Sequence, residues 1–164
     1  MLSPKQRKNP LKAILAAWLL AGTLDISSAF ISVYLHSGKN PLLVGNYIAS
    51  AIFGKTDAYA GGTSMVILGI LLHYIIAFIF TIIFFLLYPK IYAVLKNKFV
   101  AAVLYGLFVW IVMNLVVVPL TRIGWHGIKL QNAVENIIIL MIAIGLPVSL
   151  ISYNFYYAKK AVSG

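Results

Sequence analysis

Four side chains in the apolar stretches of this sequence could do chemistry: Asp25, His73, Asn114 and Glu135. An ionisable or amide group in hydrocarbon is expensive, so it normally faces a bundle interior or a water-filled cavity. Asp25 shares a helical stripe with Ala21, Ser28 and Ser32, at spacings of three and four residues that stack on one face. Gly69, His73 and Ala77 form a second stripe, and Gly106, Trp110 and Asn114 a third. Glu135, Ile138, Ile142, Gly145, Ser149 and Ser152 form a fourth. At ~1.5 Å of rise per residue, Asp25 lies about 20 Å beyond Lys12, His73 about 12 Å past Met65, and Asn114 about 8 Å before Pro119. These depths, with Glu135 opening its own helix, predict one polar group per helix in the same half of a bilayer. Two chemistries follow from such a set. The expectation is a structural or accessory membrane protein in which the groups act as hydrogen-bonding glue between helices; the alternative is that they line an outward-facing cavity that binds or transports a small solute or a proton.

Catalytic patterns are absent by comparison. The histidines His36, His73 and His126 fall on different elements, with no HExxH motif and no paired spacing for zinc. Ser27 and Ser28 have no base adjacent in sequence, and no glycine-rich phosphate loop occurs. Asp25 and Glu135 could form a carboxylate pair, but their separation is not written in the sequence. With no cysteine, disulfides, thiolate metal sites and cysteine nucleophiles are excluded. The expectation is a protein that is not an enzyme and carries no cofactor or metal.

The elements that must position these residues are written in the composition. Of 164 residues, 62% are hydrophobic and only 10% charged, with a mean hydropathy of +0.98. Soluble domains carry about 25% charged residues. The chain is therefore expected to be all-α and integral to a membrane, a single domain of four transmembrane helices. Spans of about 20 apolar residues fall at 11–36, 65–88, 99–120 and 133–157. Between the first two, Asn40-Pro41 reads as a helix start and Gly54 as a stop, which predicts a short helix over 41–53. At about 20 Å it is too short to cross, so it either lies in the outer interface or dips back as a re-entrant segment. Pro147 should kink the fourth span by removing a helical hydrogen bond. The basic start, the apolar stretch after it and Ser27-Ser28-Ala29 imitate a cleavable signal peptide. Apolar sequence continues through Phe30-Ile31-Ser32-Val33-Tyr34, which favours a retained first span.

Charge sets the orientation. Thirteen Lys and Arg face three Asp and Glu, for a net charge of +10. Nine of the cations (Lys5, Arg7, Lys8, Lys12, Lys90, Lys96, Lys98, Lys159 and Lys160) flank the spans on one side, against Lys39, Lys55, Arg122 and Lys129 on the other. The positive-inside rule puts both termini in the cytoplasm. Tyr88, Tyr92, Tyr153, Tyr156 and Tyr157 form an inner aromatic belt, with Tyr34 and Trp125 at the outer boundary. The same cations suit anionic headgroups of the cytoplasmic leaflet rather than nucleic acid. A second copy or another membrane protein is the remaining partner class, because a chain this short would oligomerise to build a transport path.

Several segments together resemble a family. They are Ala21-Gly22-Thr23-Leu24-Asp25, Ile48-Ala49-Ser50-Ala51-Ile52-Phe53-Gly54, Ala60-Gly61-Gly62 and Leu68-Gly69-Ile70-Leu71-Leu72-His73. Tyr105-Gly106, Met113-Asn114-Leu115-Val116-Val117-Val118-Pro119 and Gly145-Leu146-Pro147 continue the series. Over about residues 20–150 the chain resembles small, uncharacterised four-helix bacterial inner-membrane proteins, and more distantly the YagU-like proteins. The resemblance implies a multi-pass protein of a bacterial inner membrane, and no chemistry with it. It also implies a histidine shortly before Gly-Leu-Pro, where this chain has Leu140, so a metal or proton-relay role at that position does not transfer.

Overall fold

The computed structural model describes residues 9–125 and 127–157. Lys5, Arg7, Lys8, His126, Lys159 and Lys160 lie outside the described residues. Six helices follow in order: α1 (Pro10–Ser37), α2 (Leu43–Phe53), α3 (Lys55–Ala60), α4 (Gly62–Leu95), α5 (Lys98–Leu120) and α6 (Leu130–Tyr156). Among the described residues there is no strand. Helices α1, α4, α5 and α6 are each long and apolar enough to cross a membrane. The chain is a multi-pass membrane protein built as a helical bundle.

Local sequence explains the helix ends. Asn9 accepts from the Leu11 N–H and Pro10 opens α1, where the missing proline N–H costs nothing. Gly38 closes α1 in the left-handed conformation, φ 62°. Helix α4 runs seven residues past the expected 88, through Pro89 to Leu95, and is capped by Lys96, φ 50°. Asn97 then caps α5 by accepting from Phe99 and Val100 N–H. A two-residue turn thus joins α4 to α5. Residues 55–60, expected as loop, form the six-residue helix α3. Asn40 accepts from Leu42 N–H, but its turn delays the start of α2 to Leu43.

Packing runs around the bundle from α1 to α4, α5 and α6, and α6 returns to α1. Helix α2 lies on the first turns of α4. There Gly45 and Gly69 meet backbone to backbone, and a Cβ on Gly69 would collide with the Gly45 carbonyl. The α5–α6 crossing is equally tight, because a Cβ on Gly106 would sit 2.6 Å from the Met141 nitrogen. Small residues give transmembrane helices their close approach. The core sits in the half of the bundle away from α2, where Ala17, Phe84, Tyr88, Tyr105, Val109 and Val148 pack together.

Two of the spans contain a π-helical turn: Val112–Val117 in α5 and Met141–Gly145 in α6. Each lies just before a proline, Pro119 and Pro147. Proline cannot donate to the carbonyl four residues back and its ring crowds that carbonyl, so the ladder widens there. The widened turn in α6 changes the phase of that helix. Ile138 and Ile142 are 51% and 58% exposed, although the sequence stripe put them on one face with buried Ser149 and Ser152. Tyr88, expected in an interfacial belt, is buried within the core instead. Its ring lies among those of Tyr92, Tyr156 and Tyr157.

Candidate functional site

Asp25 on α1 and His73 on α4 meet across the helix pair. His73 Nδ1 lies 3.9 Å from Asp25 Oδ2, an ionic contact longer than a hydrogen bond. His73 Nε2 lies 2.9 Å from the Gly22 carbonyl oxygen. A carbonyl only accepts, so Nε2 carries the proton, which leaves Nδ1 facing the carboxyl group. One further proton can reside on either the ring or the carboxyl group, and the pair is then neutral overall. The side chains are 12% and 23% exposed, so they are largely desolvated while still reachable. Nearby, Trp18 Nε1 donates to the Tyr74 carbonyl at 2.7 Å, and Thr23 Oγ1 bonds the Tyr74 hydroxyl at 2.9 Å. These contacts fix the register of α1 on α4 and so hold Asp25 beside His73.

The pair opens onto two joined chambers. The outer one, about 570 Å³, is walled by Ser28 and Ser32 of α1, Tyr47 of α2, Tyr59 of α3, and Trp110 and Asn114 of α5. Lys39 stands at its rim. The inner chamber, about 290 Å³, contains His73 and is otherwise mostly apolar, with Phe80, Val109, Met113 and Ile144 in its wall. Asp25, Tyr47 and Asn114 border both chambers and form the junction. Beyond the inner chamber the core around Phe84, Tyr88 and Val148 fills the bundle.

Hydrogen bonds occupy several of the polar walls. Ser28 donates to the Leu24 carbonyl at 2.7 Å, and Asn114 Nδ2 donates to the Trp110 carbonyl at 3.0 Å. Ser32 Oγ lies 3.5 Å from His36 Nδ1. Trp110 Nε1 is buried without a partner. Desolvation, and then the adjacent Tyr59 phenol, push the Tyr47 hydroxyl above its ordinary pKa, so it stays neutral at physiological pH.

The structure therefore brings Asp25, His73 and Asn114 together, with Ser28 and Ser32 lining the outer approach. It does not bring Glu135 into that cluster. Glu135 Oε2 pairs with His36 Nε2 at 3.2 Å in a neighbouring recess that shares Ser32, Val33, Ser37 and Asn136 with the outer chamber, with side chains 38% and 56% exposed. The phase change at the α6 π turn turns Glu135 away from the face shared by Ser149 and Ser152. Sequence analysis missed Tyr47 and Tyr59 as cavity walls. Leu43, Val44 and Tyr47 share one helical face, a pattern already present in the predicted short helix. Among the described residues no group of three His, Cys, Asp or Glu could hold a metal ion. No protein-family model, curated protein or solved structure matches this chain.

Proposed function

We propose that this is a bacterial inner-membrane protein with both termini cytoplasmic, which binds a small solute in an outward-facing cavity and exchanges a proton at Asp25–His73. The observation that carries this reading is that side chains from three different spans, Asp25, His73 and Asn114, line one continuous cavity. Interhelical glue needs no open space between the polar groups it joins. The cation asymmetry supplies the orientation, which makes the α2 side the outer one. Helix α2 then lies at the outer interface and walls the cavity, while the basic inner face rests on anionic headgroups.

The second reading is a structural or accessory protein whose polar groups only fix packing. It is favoured by the His73 bond to the Gly22 carbonyl, which ties α4 to α1, and by the intrahelical bonds that Ser28 and Asn114 make to backbone carbonyls of their own helices. Labelling separates the two. The chain has no cysteine, so Asn114→Cys provides a single thiol. A membrane-impermeant thiol reagent added outside should modify it if the cavity opens outward. An unreactive Cys at 114 in protein that is folded and inserted would leave packing glue as the function.

A further inference from the structure

We propose that the cavity's ligand is a protonated amine carrying an apolar body, with its ammonium at the Asp25–Tyr47–Asn114 junction and its body in the inner chamber. This rests on the solute-binding reading above. Asp25 is the one carboxylate lining either chamber among the described residues. It stands where the more polar outer chamber gives way to the more apolar inner one, the position in which an amphiphile's charged head meets its apolar end.

The hydrogen-bond inventory at the junction points the same way. His73 Nε2–H is committed to the Gly22 carbonyl, and one of the two Asn114 Nδ2 hydrogens to the Trp110 carbonyl. The indole N–H of Trp110 is inaccessible to solvent. When ionised, the Asp25 carboxyl group only accepts, and the neutral Tyr47 hydroxyl can both accept and donate. At this junction an Asp25 carboxylate attracts a donor-rich cation and repels a carboxylate or phosphate. Charge-assisted hydrogen bonds of this kind are the strong ones. Aromatic faces add to the match, because Tyr47, Tyr59 and Trp110 all line the outer chamber through which a cation would pass. The inner chamber, at about 290 Å³ and walled by Phe80, Val109, Met113 and Ile144, takes an apolar body the size of a single aromatic ring with its linker. Lys39 at the rim is the opposing charge. It lies beyond the C-terminal end of α1, more than three helical turns from Asp25, and is exposed to solvent that screens it.

The test uses three near-isosteric probes on purified protein in detergent micelles: 2-phenylethylammonium, 2-phenylethanol and 3-phenylpropanoate. Calorimetric titration should show the ammonium binding at least about tenfold more tightly than either of the others, as one charge-assisted bond allows. Asp25→Asn should abolish that preference, and Asp25→Glu should retain part of it. Partitioning into the micelle is common to all variants, so it subtracts out. Should Asp25→Asn fail to yield monodisperse protein, the preference among the three probes on the unmutated chain still decides. Equal or tighter binding of the alcohol or the carboxylate overturns the amine proposal, as does no binding of any probe. The reagent at Asn114→Cys separates the two failures. Modification there without ammonium preference leaves the cavity standing and removes the amine, whereas no modification removes both.

Discussion

Two histidine–carboxylate pairs in this molecule have opposite surroundings, and their energetics differ accordingly. His36 and Glu135 meet at 3.2 Å with side chains 56% and 38% exposed, so water competes for both charges. Exposed pairs contribute about 0–1 kcal/mol. Glu135→Ala should therefore change the unfolding free energy in mixed detergent–denaturant micelles by less than about 1 kcal/mol. His73 and Asp25 are 12% and 23% exposed, and the imidazole also bridges α1 to α4 through the Gly22 carbonyl. Removing one partner of a desolvated pair strands the other. His73→Ala deletes that bridge and leaves Asp25 without its counter-group, which should lower stability by about 2 kcal/mol or more in the same assay. Equal losses for the two variants would mean that the two environments do not differ in this way. The scarcity of acids made Asp25 conspicuous from the sequence alone, since only three carboxylates occur. The tautomeric constraint on His73 was not legible, because it comes from the Gly22 backbone oxygen, which every residue possesses.

At the scale of elements, the spans were legible because long runs without charge leave the chain few other ways to satisfy its backbone in lipid. What failed was helical phase. Extrapolating the stripe of Glu135, Ile138, Ile142 and Gly145 assumes an uninterrupted α-helix, and the π turn at Met141–Gly145 breaks that assumption. Pro147 was visible and predicted a kink, but a kink does not announce an inserted residue. The burial of Tyr88 was hidden for a related reason: it depends on Ser149, Tyr156 and Tyr157, which are distant in sequence. A π turn amounts to one extra residue in an α-helix, and deletion tests that account. Removing Ile142, whose side chain is 58% exposed, should convert the turn to regular α-helix. The buried residues on either side, Ala133 above and Ser149 below, would keep their facing. Removing Ile79 from α4 also takes out an exposed residue, 50% accessible, but from a helix with no widened turn to absorb the loss. The buried set Thr81, Phe84, Phe85 and Tyr88 would rotate by about 100° relative to Gly69. The Ile142 deletion should elute as a monodisperse species with thermal stability near that of the parent. The Ile79 deletion should aggregate or melt far lower. Equal tolerance of both deletions would contradict the phase argument.

For the whole molecule, the cavity and the topology depend on each other, because the ends of α1 and α4 beside α2 face outward only if both termini lie inside. Nine cations flank one side and four the other, and each Lys or Arg near an anionic surface contributes about 1 kcal/mol. Loops this short fall within the range where that bias governs insertion. A fluorescent protein that folds only in the cytoplasm, fused after Gly164, should therefore be bright, and a periplasm-dependent phosphatase fused after Trp125 should be active. The margin itself can be tested. Replacing Lys90, Lys96 and Lys98 by Gln leaves six cations against four, so the orientation should survive. Replacing Lys5, Arg7, Lys8 and Lys12 instead leaves five against four and removes the charges next to the first span, which usually dominates the choice. That variant should insert both ways, giving partial signal from both reporters, while thiol labelling at Asn114→Cys from outside falls in proportion. Loss of labelling in step with the reporters would tie access to position 114 to the orientation of the bundle. Reporters that read the reverse in the unmodified chain would turn the cavity toward the cytoplasm and overturn the outward-facing site.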